Sequence, residues 1–314
     1  GGTPTQAVQQ AAYTDGRLIL VGAAGYLSYS DNGGTTLNVV TAPDAYADTF
    51  NSVAASGNYV VAVGNAGKIV RSTNKGVIWT TVTQANSYAG NFQAVVMNAQ
   101  GGCIAVGANG EIQTSSDYGL NWVKRTPPAS YSGTYYGVVL TNNGVAVAVG
   151  SAAAIHKSTD YGATWTTKTK ATSGYSGAFR AVAIDGNYVL IGGDSGEMES
   201  SDDTGDTWIK RDLAGGSTAQ INSIDIDLAK LVGLVVGATN LVQTSLRLEG
   251  VVTQVTVPAG SDLLKTGRTY WWSGRYQDAV GFWSEWSKPT AFATQANFSY
   301  VRQPSNVSPA NGAI

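Results

Sequence analysis

The stretch Ser158–Trp165 reads STDYGATW, and its pattern stands four more times in the chain: YSDNGGTT from Tyr29, STNKGVIW from Ser72, SSDYGLNW from Ser115 and SDDTGDTW from Ser201. The third residues are Asp31, Asn74, Asp117, Asp160 and Asp203, each 43 positions after the one before. A carboxylate or amide at that place accepts backbone N–H bonds inside its own turn, and the Gly two residues later adopts positive φ without steric cost. Trp79, Trp122, Trp165 and Trp208 then enter the following strand as large apolar plugs between neighbouring sheets.

Upstream of each turn stands a second repeated block. Its markers are Val21-Gly22, Val63-Gly64, Val106-Gly107, Val149-Gly150, Ile191-Gly192 and Val236-Gly237, which makes six units. A hairpin signal precedes each: Asp15-Gly16, Gly57-Asn58, Gly101-Gly102, Asn143-Gly144, Asp185-Gly186 and a weaker one at 227–230. Runs of Val, Ile and Ala without strict alternation fit strands covered on both faces. A period near 43 without helical periodicity therefore predicts an all-β chain, a six-bladed β-propeller of four-stranded antiparallel blades over residues 1–250. The repeated turn joins the two outer strands of each blade. The sixth unit lacks that turn, and the first replaces Trp by Thr36, as terminal repeats facing different neighbours commonly do.

The five turns resemble the Asp-box, or BNR, repeats of sialidases, sortilin-type receptors and the photosystem assembly factors of the Ycf48 kind. That resemblance implies a propeller and leaves the function open, because the box is structural in every family that carries it. Beyond residue 250 the repeat stops. Trp271, Trp272, Trp283 and Trp286 crowd one segment, and Trp283–Ser287 (WSEWS) with Arg275 resembles the end of a fibronectin type III domain with a W-S-x-W-S motif. Stacking of such an Arg between Trp rings is a cation–π attraction. The resemblance implies a partial fibronectin III-like module over 251–302, with 303–314 a linker or the start of a further module.

The chain has 314 residues, a net charge of −2, 13% charged side chains, one Cys and one His. Its single cysteine, Cys103, excludes an internal disulfide and reads as a buried apolar residue. With neither a basic stripe nor a bilayer-length apolar run, the sequence carries no signal for nucleic-acid binding or membrane insertion. No P-loop, nucleophile elbow or metal-ligand cluster occurs, so no cofactor, metal or catalytic residue is expected. His156 reads as structural. Glu197, Glu199, Asp202 and Asp203 read as a solvated loop and its turn. A sialidase-like hydrolase, the enzymatic alternative, needs an arginine triad, whereas Arg71, Arg125 and Arg211 fall on outer strands and only Arg180 lies near an inner strand.

Aligning the inner strands brings Gln9, Asn51, Gln93, Tyr136, Arg180 and Asn222 to one level, all with hydrogen-bonding side chains. Four residues before each preceding aromatic residue stand Tyr46, Tyr88, Tyr131 and Tyr175, in loops on the face opposite the Asp-box turns. Such a double ring suits a sugar or peptide, by stacking and amide hydrogen bonds. The bland reading makes the tyrosines wedges that anchor each loop. Low charge and abundant Gly, Ser, Thr, Asn and Tyr, with the modular ends, point to a structural or recognition module of a virion, such as a phage tail or fibre, or of an extracellular protein. Its expected partners are other subunits of the same assembly and a host-surface glycan or protein. A Ycf48-like assembly factor is the further alternative.

Overall fold

The computed structural model describes residues 6–213, 216–227, 232–238 and 242–244, and four short strands at 255–256, 269–272, 290–293 and 302–303. These residues form β-strands and single 3-10 turns, and none of their helices is long and apolar enough to cross a membrane. The chain divides into two compact units, residues 1–230 with 234–244, and 231–233 with 245–314.

The first unit holds five four-stranded sheets, each with its strands bonded in chain order, and a three-stranded sixth. The first sheet runs Val8–Thr14, Arg17–Gly22, Leu27–Ser30 and Asn38–Val40, and the inner strands of the next four are Phe50–Ser56, Phe92–Met97, Tyr135–Leu140 and Phe179–Asp185. The sixth sheet contains Ile221–Asp227, Val232–Gly237 and Val242–Thr244. Pairing is antiparallel, as the hairpin signals require.

Successive sheets pack face to face over apolar clusters. Ile19, Val21 and Leu27 of the first meet Phe50, Val60, Ala62, Val70 and Trp79 of the second. Val61, Val63 and Ile69 then meet Phe92, Val95, Cys103 and Trp122, and the pattern recurs with Trp165 and Trp208. Both faces of a second strand are thus buried, which is why its sequence does not alternate. Each Trp lies over the sheet before its own, and Nε1 of Trp79, Trp122 and Trp165 donates to the carbonyl of the box Gly at 2.8–3.0 Å.

The two ends of this series are uncovered. Val8 is 37% exposed, whereas its counterparts Phe50, Phe92, Tyr135 and Phe179 are fully buried. Leu234 on the sixth sheet is likewise 37% exposed where Ile19, Val61, Ile104 and Val147 are buried. Among the described residues the first and sixth sheets therefore do not bury each other as consecutive sheets do.

In the second unit, Val255–Thr256 pairs with Arg302–Gln303, and Thr269–Trp272 with Thr290–Ala293, both antiparallel. The WSEWS stretch and Arg275 lie outside the described residues.

Candidate functional site

The five repeated turns close on themselves. In the fourth, Ser158 Oγ accepts the N–H of Asp160 and Gly162 and donates to Asp160 Oδ1, which also takes the Thr164 N–H at 2.8 Å. Asp117 and Asp203 repeat the arrangement. Burial works to raise the pKa of Asp203, but Thr207, Ser201 and the Asp206 N–H outweigh it and bring the carboxyl down to about 2. All its acceptor positions face its own turn, so the box is scaffold. Backbone bonds such as Tyr161 N–H to the Gly144 carbonyl tie these turns to the hairpins at one end of the sheets.

The first box differs from the sequence alignment by one residue. Ser30, not Tyr29, accepts the Asn32 and Gly34 N–H groups, and Asn32, not Asp31, caps the turn by accepting the Thr36 N–H at 2.9 Å. The motif is S-x-N-x-G-x-x-L, with Leu37 rather than Thr36 in the Trp place, while Asp31 pairs outward with Arg17 at 2.6 Å. A second shift concerns the fifth unit, where Phe179 pairs with Gly193, so Gly192-Gly193 replaces Ile191-Gly192 as the marker. A Cβ at Gly64 or Gly193 would stand 2.3 or 2.0 Å from the carbonyl oxygen of Thr49 or Ala178, so close chain approach selects glycine there.

The polar ring has a backbone cause. In the first five sheets the register between the two inner strands slips by one residue, between Val8 and Gln10, Phe50 and Ser52, Phe92 and Ala94, Tyr135 and Gly137, and Phe179 and Ala181. The extra residues are Gln9, Asn51, Gln93, Tyr136 and Arg180. A β-bulge takes its extra residue out of the ladder and re-aims its side chain. These five, with Asn222 of the sixth sheet, line a single cavity of about 300 Å³ that touches all six inner strands.

Two bulge residues are bonded to the loop after the second strand. Asn51 donates to Asn65 Oδ1 at 2.9 Å and to the Phe92 carbonyl at 2.7 Å, across to the next sheet. Arg180 Nε lies 2.6 Å from Asp194 Oδ1, and its guanidinium lies 4.8 Å over the Tyr136 ring. Asn65, Asp194 and Gln220, which donates to Asp194 at 2.9 Å, escaped the sequence reading. For Asn65 and Asp194 the signal was positional, because each directly follows the marker Gly of its sheet and bonds the bulge residue 14 positions before it. Since this loop joins the second and third strands, the cavity rim lies at the end opposite the repeated turns.

The four loop tyrosines are anchors in this structure. The Tyr46 hydroxyl donates to the carbonyls of Thr49 and Asn65, and Tyr88, Tyr131 and Tyr175 bridge the same two places. Each ring packs on the aromatic residue four positions later, with centroids 4.7–5.1 Å apart. Burial pushes the Tyr88 hydroxyl up to about 12. None of the four lines the cavity.

The remaining polar groups are internal supports. His156 is 3% exposed, with Nδ1 2.5 Å from the Tyr135 hydroxyl, and burial lowers its pKa to about 4. Glu197 and Glu199 are buried rather than solvated. Glu199 accepts the Ala171 and Thr172 N–H groups at 2.8 and 2.9 Å, and Thr172 also bonds Glu197. Among the described residues no three His, Cys, Asp or Glu side chains are placed to hold a metal ion.

No protein-family model matches the chain, and no curated protein matches its sequence. Solved structures do match. "YCF48 bound to D1 peptide" is 18% identical with a TM-score of 0.50, covering 77% of this chain and 92% of its own. U3-55K aligns at 11% identity and TM-score 0.64, over 77% of this chain and 78% of that one. The RRP9 WD40 repeats align at 10% and 0.63, over 77% of each. With the repeated four-stranded antiparallel sheets, these likenesses show that the chain has a β-propeller fold.

Proposed function

We propose that this chain is a non-enzymatic recognition module that binds a protein or glycan at the polar axial cavity. The observation that carries the reading is the convergence of six inner strands on one cavity, with a bulge turning a polar side chain into it from at least five of them. Scaffold alone does not call for this, since the bulge residues sit where a propeller could bury apolar side chains. Protein partners are favoured by the likeness to the structure of YCF48 bound to a D1 peptide. A Ycf48-like assembly role is the second reading, resting on that likeness.

The finer architecture belongs to the same proposal: six repeat units of the Asp-box kind, followed by a fibronectin III-like segment. Low charge and modular sequence support a place in a virion, as a phage tail or fibre component, or in an extracellular protein, with other subunits as partners. Sialidase-like hydrolysis finds little support, because Arg180 is the one arginine on the cavity wall among the described residues. The test is a screen of glycan and peptide arrays with the full chain. Gln93→Trp, which fills the cavity, should abolish binding, whereas Asn121→Trp at an Asp-box turn should not. The reverse result would refute the site.

A further inference from the structure

Resting on that recognition reading, we infer that the corner of the cavity formed by Arg180 and Tyr136 is a carboxylate subsite, and that its ligand is a peptide presenting an acidic side chain or a free C-terminus. Among the described residues lining the cavity Arg180 carries the one formal charge, and the carboxylate beside it, Asp194, is paired with it and is not part of the lining. Asp194 grips the guanidinium through Nε, at one edge of the fork. The grip is itself fixed, because Asp194 Oδ1 also accepts from Gln220 and Oδ2 accepts the Ala178 N–H at 3.0 Å. Burial works to raise the Asp194 pKa, but Arg180 and the Ala178 N–H hold it below the usual carboxylate range, so the pair stays ionised at neutral pH. Stacked over Tyr136 and held at Nε, the arginine is ordered before any ligand arrives. A guanidinium so prepared loses little freedom on forming a bidentate pair with a carboxylate.

Two amides elsewhere on the wall of the same cavity have a fixed polarity. Both N–H groups of Asn51 are engaged, with Asn65 and Phe92, so Asn51 has its Oδ1 acceptor to offer. Gln10 accepts the Val53 N–H on Oε1 at 2.7 Å, so it has its amide N–H groups to offer. An acceptor, a donor and an arginine fork complement the N–H, C=O and carboxylate of an acidic peptide. The cavity, about 300 Å³, lies at the small end of the roughly 300–1,000 Å³ of ligand sites, room for a side chain or chain end rather than an oligosaccharide.

The test uses the full chain and four fluorescent Gly/Ser octapeptides: one with a central Glu and an amidated C-terminus, one with Gln and a free C-terminus, one with both carboxylates, and one with neither. Binding is read by fluorescence anisotropy. At least one singly anionic peptide should bind about tenfold or more tightly than the neutral one, and which of the two does so identifies the source of the carboxylate. Arg180→Gln should abolish that discrimination, and Arg180→Lys, which keeps the charge without the fork, should retain part of it. Near-UV circular dichroism and Tm establish that each variant is folded. Equal binding of all four peptides, discrimination that survives Arg180→Gln, or no binding by any at about 1 mM would overturn the subsite. Binding that ignores peptide charge yet is lost in Gln93→Trp would overturn the subsite and leave the recognition reading standing.

Discussion

The hydroxyl of Tyr135 and Nδ1 of His156 lie 2.5 Å apart inside the fourth sheet, with both residues buried. Burial lowers the His156 pKa from 6.5 to about 4, so the folded protein holds a neutral imidazole where the unfolded chain takes up a proton. Stability is therefore highest above pH 6.5 and falls as pH drops from there toward 4, by on the order of 2–3 kcal/mol. In His156→Gln, urea midpoints at pH 7 and pH 4.5 should differ less than in the parent. An unchanged difference would show that His156 is not the titrating group.

The box carboxylates act in a lower window. Asp203 titrates at about 2 when folded and near 3.8 when unfolded, so its stabilisation is present above pH 3.8 and is lost as pH falls through about 2. Asp117 and Asp160 shift in the same direction. Asp203→Ala should cost about 1–2 kcal/mol at pH 7, the scale of a lost charge-assisted acceptor, with no change in ligand binding. A variant that keeps its melting temperature and loses binding would assign the box a role in recognition.

These turns also mark how much was legible. The box, the hairpin signals and the Trp plugs are local features, each using residue types suited to one backbone conformation, so strand order and blade period followed from the chain alone. The level of Gln9, Asn51, Gln93, Tyr136 and Arg180 was legible because the glycine markers recur at a nearly constant distance after each, and a buried aromatic residue precedes all but Gln9. The bulge that explains it was not, because a one-residue slip appears only when two strands are paired. Asp194 and Gln220 were hidden for a related reason: their partners lie 14 and 26 residues away, and only the folded chain brings them together. The burial of Glu197 and Glu199 is not legible in the sequence, since carboxylates look solvated until the N–H groups of Ala171 and Thr172 reach Glu199 and the Thr172 hydroxyl reaches Glu197.

The loop tyrosines separate anchoring from recognition. Tyr88 places its hydroxyl 3.1 Å from the Asn91 carbonyl and 3.0 Å from that of Ala108, tying two loops together. Tyr88→Phe keeps the ring on Phe92 and removes both bonds, so it should destabilise by about 1–2 kcal/mol. Affinity for a cavity ligand should stay within about twofold, less than 0.5 kcal/mol. A large loss of affinity at unchanged stability would place the tyrosine in the binding surface instead.

The one-residue shift of the first box gives the sharpest contrast, because two adjacent residues exchange roles. Alignment by the 43-residue period makes Asp31 the capping residue, whereas the structure gives that place to Asn32, whose Oδ1 takes the Thr36 N–H and the Ser30 hydroxyl. Asp31 faces outward to Arg17, an exposed pair of the kind that contributes little once solvent and salt screen it. Asn32→Ala should therefore cost about 1 kcal/mol, the scale of a lost turn cap, and should be insensitive to salt. Asp31→Ala should leave the urea midpoint unchanged at moderate salt. Asn32→Asp should be tolerated, since aspartate holds the same place in three of the other four boxes. If Asp31→Ala is the damaging change and Asn32→Ala the silent one, the first turn follows the sequence register after all, and the 42-residue first interval, from Asn32 to Asn74, is wrong.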